Sequence, residues 1–126
     1  MNDNQFTKQR ELIEKIPFFM GFQDIDKDEL SIISYFKKFT ASSLIIEEGA
    51  IVLCLYFIIR GHVEIVIDNE IVAKFKGGGQ IFGEMSFVNH DLASATVRAS
   101  NDVTMMLIDF KKINELNDPI HYRMRM

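Results

Sequence analysis

A single cysteine, Cys54, leaves no partner for an internal disulfide and no basis for a cysteine-rich zinc or iron–sulfur site. Basic residues are also short. Fourteen Lys and Arg stand against eighteen Asp and Glu, a formal charge of −4, so no cationic excess is available for nucleic acid or an acidic membrane. The longest apolar run, Ala50 to Ile59, is too short to span a bilayer and reads as a core strand. The opening Met1-Asn2-Asp3-Asn4-Gln5 is too polar to begin a secretory signal. His62, His90 and His121 lie far apart without partners at metal-ligand spacing, which excludes a metal site as the first reading. No Ser-His-Asp or Cys-His set suggests an enzyme, and Cys54 sits in apolar surroundings where a thiol is inert packing. There is no internal repeat and no low-complexity segment. The expectation is a cytoplasmic, non-catalytic protein with no metal and no resident cofactor.

What is present suits one domain. With 126 residues, 48% of them apolar, the chain can bury a real core but has no room for a second one. Residues 1–38 read as N-terminal helices. Glu11 to Lys15 is amphipathic and must end before Pro17, because proline disfavours helix in the residue before it. Asp26 and Glu29 fit a capping box, which predicts a helix whose apolar face runs through Leu30, Ile33 and Phe36. Strand patterns then fill residues 39–109. Val63, Ile65 and Ile67 alternate with Glu64, Val66 and Asp68, and Asp68-Asn69-Glu70 turns into a partner strand over Ile71–Lys76. Gly77-Gly78-Gly79 is a loop, and Arg60-Gly61-His62 a strand-to-strand turn. Ala95, Val97 and Ala99 alternate again, Ser100-Asn101-Asp102 turns, and Val103, Met105 and Leu107 run back. Several short strands with regular turns predict a barrel or sandwich. Helices return over 110–126: a short one from Phe110 to Leu116, then Asp118 as N-cap with Pro119 at the first helical position.

The most informative stretch is Phe82-Gly83-Glu84-Met85-Ser86-Phe87, followed by Ser94-Ala95-Thr96-Val97. A glycine and an acid open a short helical turn, and a strand led by small hydroxyl residues faces it. Free N–H groups at a helix start attract anions. Gly83 allows close approach of a ligand to the backbone, and Glu84 can accept hydrogen bonds from ribose hydroxyls. Each residue also has a plainer role. Gly83 serves the turn whatever the ligand, and Glu84 can instead cap local N–H groups. Ser94 can donate to a phosphate oxygen or make a local hydrogen bond. Met85 faces pocket or core, Ser86 continues the turn, and Phe87 is core.

The order of elements resembles the cyclic-nucleotide-binding domain shared by the catabolite activator family, protein kinase A regulatory subunits and cyclic-nucleotide-gated channels. Five pieces carry the resemblance, in order: Ile16 to Phe22, Glu48-Gly49, Leu55 to Val63, Phe82-Gly83-Glu84, and Ala95 to Ala99. It implies a mainly β fold, a β-roll or jelly-roll barrel with flanking helices, over nearly the whole chain. It also implies a phosphate-binding cassette at 82–96, with Gly83, Glu84, Met85, Ser86, Ala93, Ser94 and Ala95 as ligand contacts. The ligand implied is cyclic AMP or cyclic GMP, and Tyr122 is the candidate lid. One departure matters. Family members hold the cyclic phosphate with an arginine two residues before Ala-Thr-Val, and here that position is Ala93. Losing a charge-assisted pair worth roughly 1.5–3 kcal/mol lowers affinity about tenfold to a few hundredfold. Arg98 lies five residues on and on the opposite strand face, so it is no substitute; His90, in the loop, could swing in.

Three readings follow. The first is a regulatory sensor of a cyclic nucleotide or of another small effector. The second is a ligand-free interaction or dimerisation domain that keeps the barrel, with Ile120, Met124 and Met126 in a dimer-forming final helix. The third, a DNA-binding factor, needs a helix-turn-helix that these residues do not contain.

Overall fold

Gln, Lys, Arg and Glu dominate the first helix, α1 (Asp3–Lys15), and only the stripe through Gln9 and Ile13 is fully buried. The computed structural model describes residues 3–77 and 80–115. The helix is longer than the stretch from Glu11 that its pattern marked. It stops on Ile16, which is extended (φ −86°, ψ 118°) before Pro17, and a 3-10 turn follows over Pro17–Phe19.

The second helix, α2 (Asp24–Ile33), corrects the sequence reading at both ends. Its N-cap is Gln23, not Asp26, and no side chain caps it; Asp24 and Asp26 instead place negative charge in the first turn, where the helix dipole favours it. At the far end Ser34 turns extended, its hydroxyl bonded to Ser31 O (3.0 Å). The buried Gln9 amide of α1 donates to both the Ser34 carbonyl and hydroxyl. Phe36 therefore belongs to a strand, although it still packs on the helical core. The two helices are clasped by Arg10, which reaches Asp28 at 2.8 Å and Glu14 at 2.6 Å, and by Lys27 with Glu14 at 2.9 Å.

Eight strands follow: β1 (Tyr35–Phe39), β2 (Leu44–Ile46), β3 (Cys54–Arg60), β4 (His62–Ile67), β5 (Glu70–Lys76), β6 (Ile81–Phe82), β7 (Thr96–Ala99) and β8 (Val103–Asp109). The first begins four residues ahead of the point at which the strand pattern becomes legible. They form two four-stranded antiparallel sheets, ordered β1-β8-β3-β6 and β2-β7-β4-β5. Short helices α3 (Glu84–Asn89) and α4 (Phe110–Asn114) complete the described chain. This is the mainly β, two-sheet roll with flanking helices that the sequence implied.

Two apolar layers hold it. On β8, Met106 and Ile108 join Ile13, Phe19, Leu30 and Ile113 in a layer beneath the helices. The alternate residues Val103, Met105 and Leu107 join Ile58, Val63 and Val97 between the sheets. A strand buried on both faces has to read as continuous hydrophobicity, as Met105–Ile108 does. On β4 the alternation breaks. A register shift between Ile65 and Val66 buries Val66 and exposes Ile67, reversing the parity expected from the sequence beyond Ile65. The hairpin that follows uses Asp68 and Asn69 at φ 51° and 66°, the twist that matches paired strands.

Three strands are also joined by a polar cluster. The Tyr35 hydroxyl and the Cys54 thiol both donate to Asp109 Oδ1, each at 3.0 Å. Burial, then the bond to Asp109, pushes the Cys54 thiol from its ordinary 9.0 up to about 11, and burial raises Tyr35 as well. Both groups hold their protons more firmly folded than unfolded. Their contribution to stability is complete below about pH 9 and declines as pH rises towards 11 and beyond. Melting temperature is expected to fall across that alkaline range, less steeply in Cys54→Ala. An equal slope in the variant would remove Cys54 from the account.

Candidate functional site

Gly83 places the turn. It adopts φ +98°, and a Cβ there would sit 2.6 Å from the Cys54 carbonyl of β3. The close approach that demands glycine is thus made by a neighbouring strand, not by a ligand. Two residues on the far side are equally fixed: the Ala93 amide donates to Ala50 O (2.9 Å), and the Gly49 amide to Ala93 O (2.8 Å). The loop that ends in Ala93 is therefore stitched to the turn at 47–50, which Thr96 Oγ1 further supports by accepting from the Glu48 amide.

Between these two fixed points lies a cavity of ≈ 510 Å³, within the ~300–1,000 Å³ typical of small-ligand sites. All seven residues assigned to the ligand from sequence, Gly83, Glu84, Met85, Ser86, Ala93, Ser94 and Ala95, line it. The sheet residues Ile65, Phe75, Ile81, Phe82 and Val97 supply an apolar back wall, with Phe75 and Phe82 edge to face at 6.1 Å. Tyr122, the candidate lid, and the final segment carrying Ile120, Met124 and Met126 lie outside the described residues, as does the helix start at Asp118-Pro119.

Charge in this wall is of one sign. Among the described residues that line the cavity, Glu84 and Asp91 are the only ionisable ones, and no Lys, Arg or His accompanies them. Arg98 is on the outer side of β7, 3.6 Å from Glu64. His90 closes α3 in a left-handed conformation, its amide bonded to Ser86 O, and does not line the cavity. Glu84 Oε2 is buried and accepts no hydrogen bond from the described residues. A buried carboxylate oxygen without a donor is costly, roughly 1–3 kcal/mol or more. Neither the Ser94 hydroxyl nor the Ser94 and Ala95 amides bond to any described group, so the local hydrogen bond anticipated for Ser94 is not formed. Met85 is exposed at the rim, whereas Ser86 and Phe87 are buried.

Asp91 is the residue that sequence reading missed. Its signal was its position, two residues before Ala93 in the loop that leads into the cassette strand. The apolar back wall was legible only as strand core.

Comparison with known proteins places this geometry. The cyclic nucleotide-binding domain family matches residues 36–118. A cAMP-dependent protein kinase type II regulatory subunit from Drosophila melanogaster is 28% identical over 113 residues, 86% of this chain, but the chain spans only 30% of that relative. Among solved structures, the regulatory subunit of a cAMP-independent protein kinase A from Trypanosoma brucei is 26% identical with TM-score 0.79, over 86% of this chain and 40% of that one. A triple mutant of that subunit, with a threonine changed to arginine and a glutamate to alanine, is bound to cAMP in its A site (25% identity, TM-score 0.74, 84% of this chain and 42% of that one). The corresponding Trypanosoma cruzi subunit is bound to guanosine (19% identity, TM-score 0.80, 92% of this chain and 41% of that one).

Proposed function

Because the chain belongs to the cyclic nucleotide-binding domain family, we propose that it is a non-catalytic regulatory sensor whose pocket receives an uncharged nucleoside rather than a cyclic phosphodiester. Glu84 carries this reading. Its buried Oε2 needs a donor, and a ribose diol offers two hydroxyls. A cyclic phosphate would bring a negative charge into a wall whose described residues include Glu84 and Asp91 and no cation. The family's arginine would offset that charge, but the position is Ala93. A nucleoside presents the same ribose without the charge, and the Trypanosoma cruzi neighbour bound to guanosine supports such a ligand for this fold.

In this assignment Glu84 takes the ribose hydroxyls. The Ser94 hydroxyl and the free Ser94 and Ala95 amides serve the sugar's remaining oxygen. Gly83 and Ser86 hold the turn, Met85 covers the rim, and Ala93 leaves the space that an arginine would fill. Signalling requires that ligand bind more tightly to one arrangement of the flanking helices than to another.

Calorimetry on the purified chain with guanosine, adenosine, cyclic AMP and cyclic GMP tests this. A nucleoside is expected to bind saturably and at least about tenfold more tightly than either cyclic nucleotide. Glu84→Gln, which exchanges an ionised acceptor for a neutral one, is expected to weaken the nucleoside by about tenfold or more. Silence from all four ligands would favour the second reading, an interaction domain that kept the roll and retired its pocket.

A further inference from the structure

On the other side of the β1-β8-β3-β6 sheet, beneath α1, a groove of ≈ 450 Å³ has the opposite electrostatic character. Lys8 and Lys15 stand two turns apart on one face of α1, about 10 Å along the axis. Lys38 of β1 and Arg60 of β3 are both register partners of Thr104 on the central strand β8. They therefore flank it on one face, about two strand spacings, ~10 Å, apart. Four cations thus surround a floor of Leu12, Phe36 and Ile59, and Lys8 Nζ lies 5.7 Å from the Phe36 ring centroid. Glu11 is the sole acid among the groove's lining residues. Arg10, Lys27 and Arg98 elsewhere all have carboxylate partners. Lys8, Lys15, Lys38 and Arg60 form no ion pair among the described residues.

Like charges gathered within about a Debye length repel one another and favour an anion between them. We propose that this groove docks an acidic segment of a partner protein, with carboxylates against the four cations and an apolar side chain seated on Phe36 and Ile59. The apolar floor selects a peptide over a bare anion. The net charge of −4 opposes a long polyanion or a charged bilayer, which would also meet the acidic remainder of the surface. A short segment meets only the groove. In an extended strand, carboxylates about three residues apart span the ~10 Å between the cations and leave room for the apolar anchor. This surface is separate from the ligand pocket, and its assignment does not depend on the nucleoside reading.

The test is fluorescence anisotropy on the full chain with a labelled octapeptide of three glutamates, two leucines and three glutamates. Binding is expected at about 0.01 M salt, where the Debye length is ~30 Å, and lost near 1 M, where it is ~3 Å. Lys38→Glu with Arg60→Glu is expected to weaken it by at least about tenfold. Lys8→Glu with Lys15→Glu, on the exposed helix face, is expected to do the same and serves if the strand variant fails to fold. Replacing both leucines by serine is expected to weaken binding severalfold. No saturable binding at low salt, or equal binding by charge-reversed variants with unchanged circular dichroism and melting, would overturn the proposal. So would tighter, groove-dependent binding to equimolar phosphatidylserine–phosphatidylcholine vesicles or to duplex DNA.

Discussion

Ala93→Arg is expected to raise affinity for cyclic AMP about tenfold to a few hundredfold, the worth of one charge-assisted contact of roughly 1.5–3 kcal/mol. The position is prepared for the change. Ala93 lines the cavity, and its backbone is held on both sides, by Gly49 and Ala50, so a longer side chain starts from a fixed Cα at the pocket wall. Asp91 lies two residues away in the same wall and will compete for the guanidinium. Adding Asp91→Asn is therefore expected to give the larger gain. The Trypanosoma brucei triple mutant, bound to cAMP with one arginine introduced and one glutamate removed, has the same two kinds of change. Calorimetry on wild type, single and double variants checks the order. If the double variant binds cyclic AMP no better than wild type, while remaining folded, the cavity is not the nucleotide pocket.

Gly61→Ala is expected to cost about 2–5 kcal/mol of stability: ~1–2 for forcing a side chain to positive φ and ~1–3 for overpacking. Gly61 sits at φ +100° in the turn from β3 to β4. A Cβ there would lie 2.5 Å from the Asp102 carbonyl oxygen and 2.8 Å from Val103 Cα. Both neighbours are backbone, so neither can rotate away. A domain of this size has about 5–15 kcal/mol in total, so the variant should melt on the order of 10 °C lower. Urea unfolding with an unchanged m-value would mark a stability loss in an intact fold. Nucleoside affinity of the folded fraction should not change, because the turn lies outside the pocket. Wild-type stability in Gly61→Ala would mean that the β3–β4 and β7–β8 turns do not meet as closely as described.

How far the sequence reaches can be judged residue by residue. The β3–β4 turn, the Asp68-Asn69 hairpin and the Gly83 turn were legible because each rests on local conformational preference. The end of α2 was not. Leu30, Ile33 and Phe36 fit one helical face, yet Gln9, 25 residues upstream, fixes Ser34 in an extended conformation and hands Phe36 to a strand. No local pattern contains that contact. The reversal on β4 was hidden for a related reason, since a bulge depends on the partner strand. At the pocket, Gly83, Glu84 and Ser94 are legible from their own chemistry, and the resemblance adds the other cassette positions. Asp91 is not legible on its own, because a single acid in a loop has only its position near Ala93 to mark it. Its significance appears only when the described residues of the cavity are found to carry no positive charge.

The two-sided burial of β8 has a consequence for how the strand finds its alignment. Both of its faces are apolar, so sliding it one residue would swap Met106 and Ile108 for Met105 and Leu107 with little loss of grease on either side. Hydrophobicity works here like an unnumbered ruler. The graduations are the polar groups at its ends. Asn101 Oδ1 accepts from the His62 amide at 2.7 Å, Asp102 Oδ1 accepts from the Ala41 amide at 3.0 Å, and Asp109 gathers Tyr35 and Cys54 at the far end. A one-residue slip would break all of these at once. The few hydrogen bonds at the strand's tips therefore do what its greasy middle cannot: they tell the chain which of two nearly equivalent alignments is its own.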